Sequence, residues 1–176
     1  MSPRVFFTSD THFGHKGILK YCKDTRPYAT VREHDEALIE NWNKTVTRNS
    51  DIVYHLGDFA WHNRGDDPEY TAEKILTRLN GKKYLIAGNH DQKEIRKLNW
   101  AGVSWAERIK ISGIFIYMSH YPVMGFRENA HLHGHTHGNS QYRNRVFDVG
   151  VDVYPNMLSL EELLEVIKPL PLAEKY

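Results

Sequence analysis

Lys82-Lys83-Tyr84-Leu85-Ile86-Ala87-Gly88-Asn89-His90-Asp91 joins an apolar run of strand length to a loop in which a glycine precedes an amide, an imidazole and a carboxylate. The run reads as a buried strand, because it is short, ends in apolar residues and is bounded by Asn80-Gly81 before it and Gly88 after it. An Asx turn would account for Asn89 alone, but the imidazole and carboxylate beside it ask for chemistry. The same grammar recurs along the chain. Arg4–Ser9 runs into Asp10-Thr11-His12, Asp51–Leu56 into Gly57-Asp58, Ile114–Ser119 into His120, and Ala130–His133 into Gly134-His135-Thr136-His137. Open α/β sheets place their ligand crevices outside the carboxyl ends of the strands, so these scattered ends predict one site.

The intervening segments carry helical signals. Thr30 and Glu33 form a capping box ahead of Val31, Ala37, Leu38, Trp42 and Val46, which keep helical spacing to about Thr47. Asp67-Pro68 supplies an N-cap and a first-turn proline for a second helix through Ala72, Ile75, Leu76 and Leu79, ended by Asn80-Gly81. Later, Glu107–Ser112 and Ile114–Ser119 flank Gly113 as a hairpin, and Ala130–His133 and Arg145–Val149 read as short strands. Ser159 and Glu162 cap a last helix with Leu160, Leu163, Leu164 and Ile167 on one face, stopped by Pro169. The pattern predicts an α/β fold: a sandwich of two mixed sheets flanked by helices (α/β/β/α), partly parallel early and more antiparallel late. Its length predicts a single domain over 1–176.

Composition narrows the function classes. Apolar residues are 40% and charged residues 26% of the 176, an ordinary globular balance. No apolar run is long enough to cross a bilayer and the start lacks the long apolar core of a secretory signal, so the expectation is a cytoplasmic protein with no membrane partner. The lone Cys22 has no disulfide partner and is expected to be structural. A net charge of +1 gives no overall basic field for nucleic acid, although Arg143 and Arg145 are local candidates. Eleven histidines is the unusual count, and His90, His120, His131, His133, His135 and His137 cluster in the polar loops and the strand before the last of them.

That clustering suits metal. Asp10 and His12 are two apart, which on an extended backbone points both side chains to one face, where they can share an ion. Gly57 allows close backbone approach, and the two oxygens of Asp58 are enough to bridge two cations. Neutral imidazole is a common transition-metal ligand, and the whole set offers nitrogen and oxygen only.

The order D-x-H (Asp10, His12), G-D (Gly57-Asp58), G-N-H-D (Gly88–Asp91), H (His120) and G-H-x-H (Gly134–His137) closely resembles the calcineurin-like metallophosphoesterase superfamily, with spacing nearest its compact bacterial and phage members. The resemblance implies that Asp10, His12 and His137 hold one metal, that Asn89, His120 and His135 hold the other, and that Asp58 bridges them. It implies that His90 contacts the phosphate and protonates the leaving group, oriented by Asp91. The cofactors implied are two divalent transition-metal ions, manganese foremost, with iron, nickel, cobalt or zinc equally acceptable to N/O ligands. Two such ions against two aspartates leave about two positive charges, suited to a phosphate dianion or diester, with a metal-bridging hydroxide as nucleophile.

The reading is therefore a phosphoesterase acting on phosphodiesters, with phosphomonoesters as further substrates and a nucleotide or cyclic nucleotide as the small-molecule partner. Cleavage of nucleic acid is the alternative, and a non-catalytic, metal-stabilised interaction module is a third reading that the complete ligand set disfavours. Substrate, native metals and oligomeric state stay open at this level. At the rim, His15, Lys16, Arg26, Arg127, Arg143 and Arg145 are candidates for phosphate contacts or simply solvated side chains. His55 is expected to be packed or to support a ligand, Tyr121-Pro122 to shape the pocket wall, and His34, His62, His131 and His133 to lie outside the site.

Overall fold

The computed structural model describes residues 2–61, 70–141 and 144–170. Its first sheet contains β1 (Val5–Thr8), β2 (Ile52–His55), β3 (Lys82–Ile86), β4 (Gly102–Ser104) and β9 (Leu158–Ser159), in the order β4-β3-β2-β1-β9. The neighbours from β1 to β4 are parallel, with Val5 opposite Ile52 and Ile52 opposite Lys82, and only β9 runs antiparallel. A parallel strand is covered on both faces, which is why β1 reads Val-Phe-Phe-Thr without alternation and is buried throughout. The second sheet has the order β5 (Ala106–Ile111), β6 (Ile114–Ser119), β7 (Ala130–His133) and β8 (Val146–Asp148).

Two cores result. Phe6, Val53 and Leu85 join Leu38, Ile39 and Trp42 of α2 (Val31–Thr45) and Ile75 and Leu76 of α3 (Ala72–Arg78) on the helical side of the first sheet. Val5, Phe7 and Ile86 meet Ile116, Met118, Ala130 and Leu132 between the sheets. That inter-sheet core also takes Leu160, Leu163 and Ile167 of α5 (Leu160–Ile167). With β7 giving Ala130 and Leu132 to the inter-sheet core, its alternate residues His131 and His133 turn to the other face, where both are fully buried.

The capping boxes at Thr30 and Ser159 both form. The β5–β6 hairpin turns through Ser112 and Gly113 at φ +48° and +82°, the positive-φ pair a two-residue loop prefers. The sheets are mixed as expected, parallel from β1 to β4 and more antiparallel later: β5–β6 is antiparallel over six residue pairs, while β6–β7 and β7–β8 are parallel. The helix before β3 starts later than the Asp67-Pro68 signal, which lies outside the described residues; Thr71 is its N-cap and accepts from the Lys74 N–H. Four short elements, α1 (Ile18–Tyr21), α4 (Lys93–Arg96), β4 and β9, escaped the sequence reading, being only four, four, three and two residues long and held by their neighbours rather than by periodicity.

The parallel register aligns Thr8, His55 and Leu85 across the first sheet, so the loops after β1, β2 and β3 leave from one edge. A parallel bridge from Ser9 to Gly150 brings the segment after β8 to the same place.

Candidate metal centre

The loops after β1 and β2 run side by side: Asp10 N–H donates to Gly57 O (2.9 Å), His12 N–H to Asp58 O (3.0 Å) and Phe13 N–H to Phe59 O (2.9 Å). Along them the backbone turns left-handed at Asp10 (φ +58°), His12 (+48°) and Asp58 (+58°), and again at His135 (+70°) and His137 (+48°). Each such residue costs on the order of 1–3 kcal/mol and persists only where the surroundings over-determine it. This corrects the expectation of an extended Asp10–His12 segment. The two side chains converge because both residues have left the strand, not because a strand alternates.

Glycine is required at two of these joints. A Cβ on Gly57, itself at φ +92°, would lie 2.6 Å from Gly88 N and 2.6 Å from His120 Nδ1. One on Gly88 would collide with the Asp58 carboxylate and lie 2.9 Å from His120 Cε1. The β2 and β3 loops can therefore touch only as bare backbone, and that contact brings Asp58 up to the residues after β3.

Around Asp58 two groups face each other. Its Oδ2 lies 3.6 Å from His12 Nε2 on one side and 3.5 Å from His120 Nε2 on the other. Asp10, His12 and His137 present ligand atoms within 4.8 Å of one another, and so do Asp58, His120 and His135. Asn89 extends the second group, its Oδ1 3.0 Å from His120 Nε2 and accepting from the Tyr121 hydroxyl at 3.2 Å. Asp10 accepts the Ser9 hydroxyl at 2.5 Å and the His135 N–H at 3.0 Å. All seven residues expected to bind metal are brought together.

The donor set fits divalent cations. His12 is 2% exposed and neither of its ring nitrogens has a hydrogen-bond partner, an arrangement that is costly unless something occupies the space it faces. His120 Nδ1 lies 2.8 Å from Leu56 O, which fixes the proton there and leaves Nε2 aimed at Asp58 and Asn89.

Charge in the pocket tells the same story. Burial pushes Asp10 up to about 6 against the pull of His120 and His137. Burial opposes a charged His120 too, yet its hydrogen bond to Asp58 and the charges of Asp58 and Asp10 raise it to about 9. Burial likewise works against ionised Asp58, but His120, His12 and the His90 N–H hold it well below the usual carboxylate range. Burial, helped by the positive charge of Arg26 and the neighbouring histidines and only partly offset by Asp58, drives His12 far down. A proton on His120 thus stands where positive charge is wanted, so cations and protons compete for this pocket.

A supporting layer lies behind these candidate ligands, and most of it was invisible in the sequence. Asp152 accepts from His137 Nδ1 (2.8 Å) and from Arg26 Nε and Nη2 (2.9 and 2.6 Å). Arg26 Nη2 also donates to Asp10 O (2.7 Å), and Nη1 lies 3.3 Å from His34 Nε2, whose Nδ1 is 2.8 Å from Asp35 Oδ1. Arg26, 3% exposed, is therefore no phosphate contact: it ties the Asp10 loop to Asp152. His34 belongs to this network and is not an isolated residue. Asp148 accepts from the Thr136 hydroxyl (2.6 Å) and the Gly138 N–H (2.8 Å), holding the loop that carries His135 and His137. Asp148 and Asp152 have no spacing relation to any motif; the parallel bridge to Ser9 delivers them.

Asp91 differs most from expectation. Its Oδ2 accepts the N–H groups of Asp58 and Gly88 (2.8 Å each) and its Oδ1 that of Phe59 (2.9 Å), so both oxygens serve the backbone instead of the His90 ring. His90 is placed by its own N–H on Asp58 Oδ1 (2.9 Å) and by Trp61, whose ring centroid is 4.9 Å away. Its Nε2 lies 3.9 Å from Asp58 Oδ2.

The remaining candidates sort by contact. His15 stacks on Trp61 at 3.9 Å and 8°, at the rim beside His12 and His90. Tyr121 packs against His120 and His135, as expected of a pocket wall. His55 is fully buried with Nε2 2.9 Å from the Thr11 hydroxyl, and His131 Nε2 lies 3.0 Å from the Ser119 hydroxyl. Arg145 is not at the site, since its guanidinium donates to the carbonyls of Asn129 and Leu170. Lys16 and Arg127 are exposed, and His62 and Arg143 lie outside the described residues. No helix among the described residues is long and apolar enough to cross a membrane.

Comparison with known proteins agrees with this geometry. The chain is 31% identical to an uncharacterized protein of Methanocaldococcus jannaschii, covering 97% of this chain and 86% of that one. It is 26% identical to the gene 66 protein of Mycobacterium phage D29, covering 94% and 96% respectively. The crystal structure of a protein of unknown function from Aquifex aeolicus superposes with a TM-score of 0.79 at 28% identity, covering 94% of this chain and all of that one. Residues 3–165 match the family described as calcineurin-like phosphoesterase. The chain belongs to the calcineurin-like phosphoesterase family, which implies metal-dependent phosphoester hydrolysis.

Proposed function

We propose that the protein hydrolyses phosphodiesters, and phosphomonoesters as further substrates, with a nucleotide or cyclic nucleotide as the physiological class. The observation that carries the reading is the position of Asp58, one carboxylate oxygen standing 3.5–3.6 Å from an imidazole of each facing group. In this reading Asp10, His12 and His137 hold one divalent ion, manganese being the first candidate, Asn89, His120 and His135 hold the second, and Asp58 is shared. When bound, the ions supply Lewis acidity and a water activated at neutral pH.

The chain's own residues do the rest. The Leu56 carbonyl and Asp152 hold the protons of His120 and His137 on Nδ1, so that each presents Nε2 to the pocket. In this reading His90, half-buried with its Nε2 3.9 Å from Asp58, protonates the leaving oxygen. Trp61 and His15 on one side and Tyr121 on the other bound the space in which the ester group sits.

Hydrolysis of bis-p-nitrophenyl phosphate with manganese tests the proposal. Asp58→Asn and His90→Ala should each lower kcat by about 100-fold or more, the usual contribution of a positioned acid–base group. Asp58→Asn should also weaken metal binding, and His90→Ala should not. Inertness toward mono- and diesters with manganese, nickel, zinc and iron would overturn the reading, and rapid cleavage of single-stranded oligonucleotides alone would move the substrate to nucleic acid.

A further inference from the structure

Cys22 stands at the C-terminal end of α1, half-buried, with Sγ 3.7 Å from Nδ1 of His137. The same Nδ1 is 2.8 Å from Asp152 Oδ2. Cys22, His137 and Asp152 thus present sulfur, nitrogen and oxygen atoms all within 4.8 Å of one another, a second group that shares His137 with Asp10 and His12. With metal–sulfur and metal–nitrogen bonds of about 2.3 and 2.0–2.1 Å, a tetrahedral ion separates its sulfur and nitrogen ligands by roughly 3.6 Å. The observed S···N distance already matches that value. The N···O distance has to open by about half an ångström, which the loss of the N–H···O bond allows.

We propose that Cys22, His137 and Asp152 form an inhibitory site for a thiophilic divalent ion such as zinc or cadmium. Three arguments carry it. Thiolate favours soft ions, whereas the neighbouring pocket offers nitrogen and oxygen only, so a hard ion such as manganese is confined to that pocket while zinc and cadmium gain a ligand at the sulfur. Asp152 shares its charge with Arg26 at 2.6 Å, which leaves the sulfur as the dominant ligand and restricts the site to ions that want it. One imidazole then serves two masters. While Asp152 accepts the Nδ1 proton, Nε2 is left bare as the ring nitrogen available to an ion shared with Asp10 and His12. An ion on Nδ1 leaves a neutral ring with its proton on Nε2, which can no longer bind metal. Binding releases the Cys22 thiol proton to solvent and moves or releases the Nδ1 proton of His137, so occupation of this site removes His137 from the other.

The proposal rests on His137 being a ligand in the catalytic pocket, and its test reads binding separately from catalysis. Cys22 is the sole cysteine, so the ultraviolet thiolate-to-cadmium charge-transfer band of the full chain reports this position alone. Cadmium titration of the metal-free protein should give that band at one equivalent. The band should vanish in Cys22→Ser and its midpoint should rise at least tenfold in His137→Gln. Saturating manganese should raise the wild-type midpoint at least tenfold, a check that does not depend on any variant folding. In the diesterase assay Cys22→Ser should keep basal activity and need at least tenfold more cadmium for half-inhibition. The proposal is overturned by absence of the band, by a midpoint indifferent to both His137→Gln and manganese, or by equal inhibition of Cys22→Ser. Failure of the hydrolysis assay with an intact, manganese-sensitive band would instead overturn the catalytic reading alone.

Discussion

Replacing Asp91 by asparagine distinguishes what the sequence motif suggests from what the structure builds. The carboxylate is 2% exposed and accepts three backbone N–H groups, from Asp58, Gly88 and Phe59. An asparagine oxygen placed on the first two leaves its amide nitrogen facing the Phe59 N–H, donor against donor, and one buried unsatisfied donor costs about 1–3 kcal/mol. The two retained bonds lose their charge assistance, which halves bonds of this kind and adds about 1–2 kcal/mol. Against this, burial together with the nearby Asp58 charge raises the pKa of Asp91, so neutralising it recovers part of the loss. The expected net destabilisation is about 2–3 kcal/mol, read as a fall in the denaturant midpoint of the metal-free protein. Manganese affinity should fall as well, because the peptide that carries Asp58 loses its anchor. If Asp91 instead oriented His90, stability and metal affinity would stay at wild-type values and only the pH dependence of kcat would move. A stability change under about 0.5 kcal/mol with such a shift refutes the positioning argument.

Other outcomes follow from the same contacts. Asp152→Ala should weaken manganese binding by about 10–100-fold in a calorimetric titration, since it removes the acceptor that fixes the His137 ring while leaving the seven expected ligands in place. Burial holds His131 down at about 4, so the folded state keeps it neutral and stability is lost as pH falls below about 6.5 toward that value. Between pH 7 and 5 that loss is about 2 kcal/mol, and His131→Gln should lower the acid sensitivity of urea unfolding in EDTA by this amount. Manganese at about 100 times its Kd should stabilise the protein by about 2.7 kcal/mol and raise Tm by roughly 5–10 °C over the EDTA-treated sample. No thermal shift on metal addition would argue that the facing groups around Asp58 hold no ion.

Much of the architecture was legible because most strands that carry a motif are short, largely apolar runs, and two helices announce themselves through Thr30–Glu33 and Ser159–Glu162. Sequence reading was weakest where periodicity is absent. The two-residue β9 exists because β1 has an open edge for it, and the three-residue β4 because β3 does. The reading of Arg26 failed for a different reason: a guanidinium near a phosphate motif looks the same in sequence whether it meets substrate or, as here, a buried aspartate 126 positions away.

The sequence by itself determined which residue types end five strands, and since sheets gather their strand ends, it brought seven nitrogen- and oxygen-bearing candidates to one crevice. Only the tertiary structure decided what stands behind those candidates. Asp91 on three amides, Arg26 between Asp10 and Asp152, and Asp148 under the His135–His137 loop are contacts across long sequence separations. The left-handed turns at Asp10, His12, Asp58, His135 and His137 are likewise tertiary, since aspartate and histidine tolerate that conformation better than most residues but adopt it in only a minority of cases. Local chemistry is written in neighbouring residues; orientation is set by backbone amides and buried charges that meet only when the two sheets close on each other.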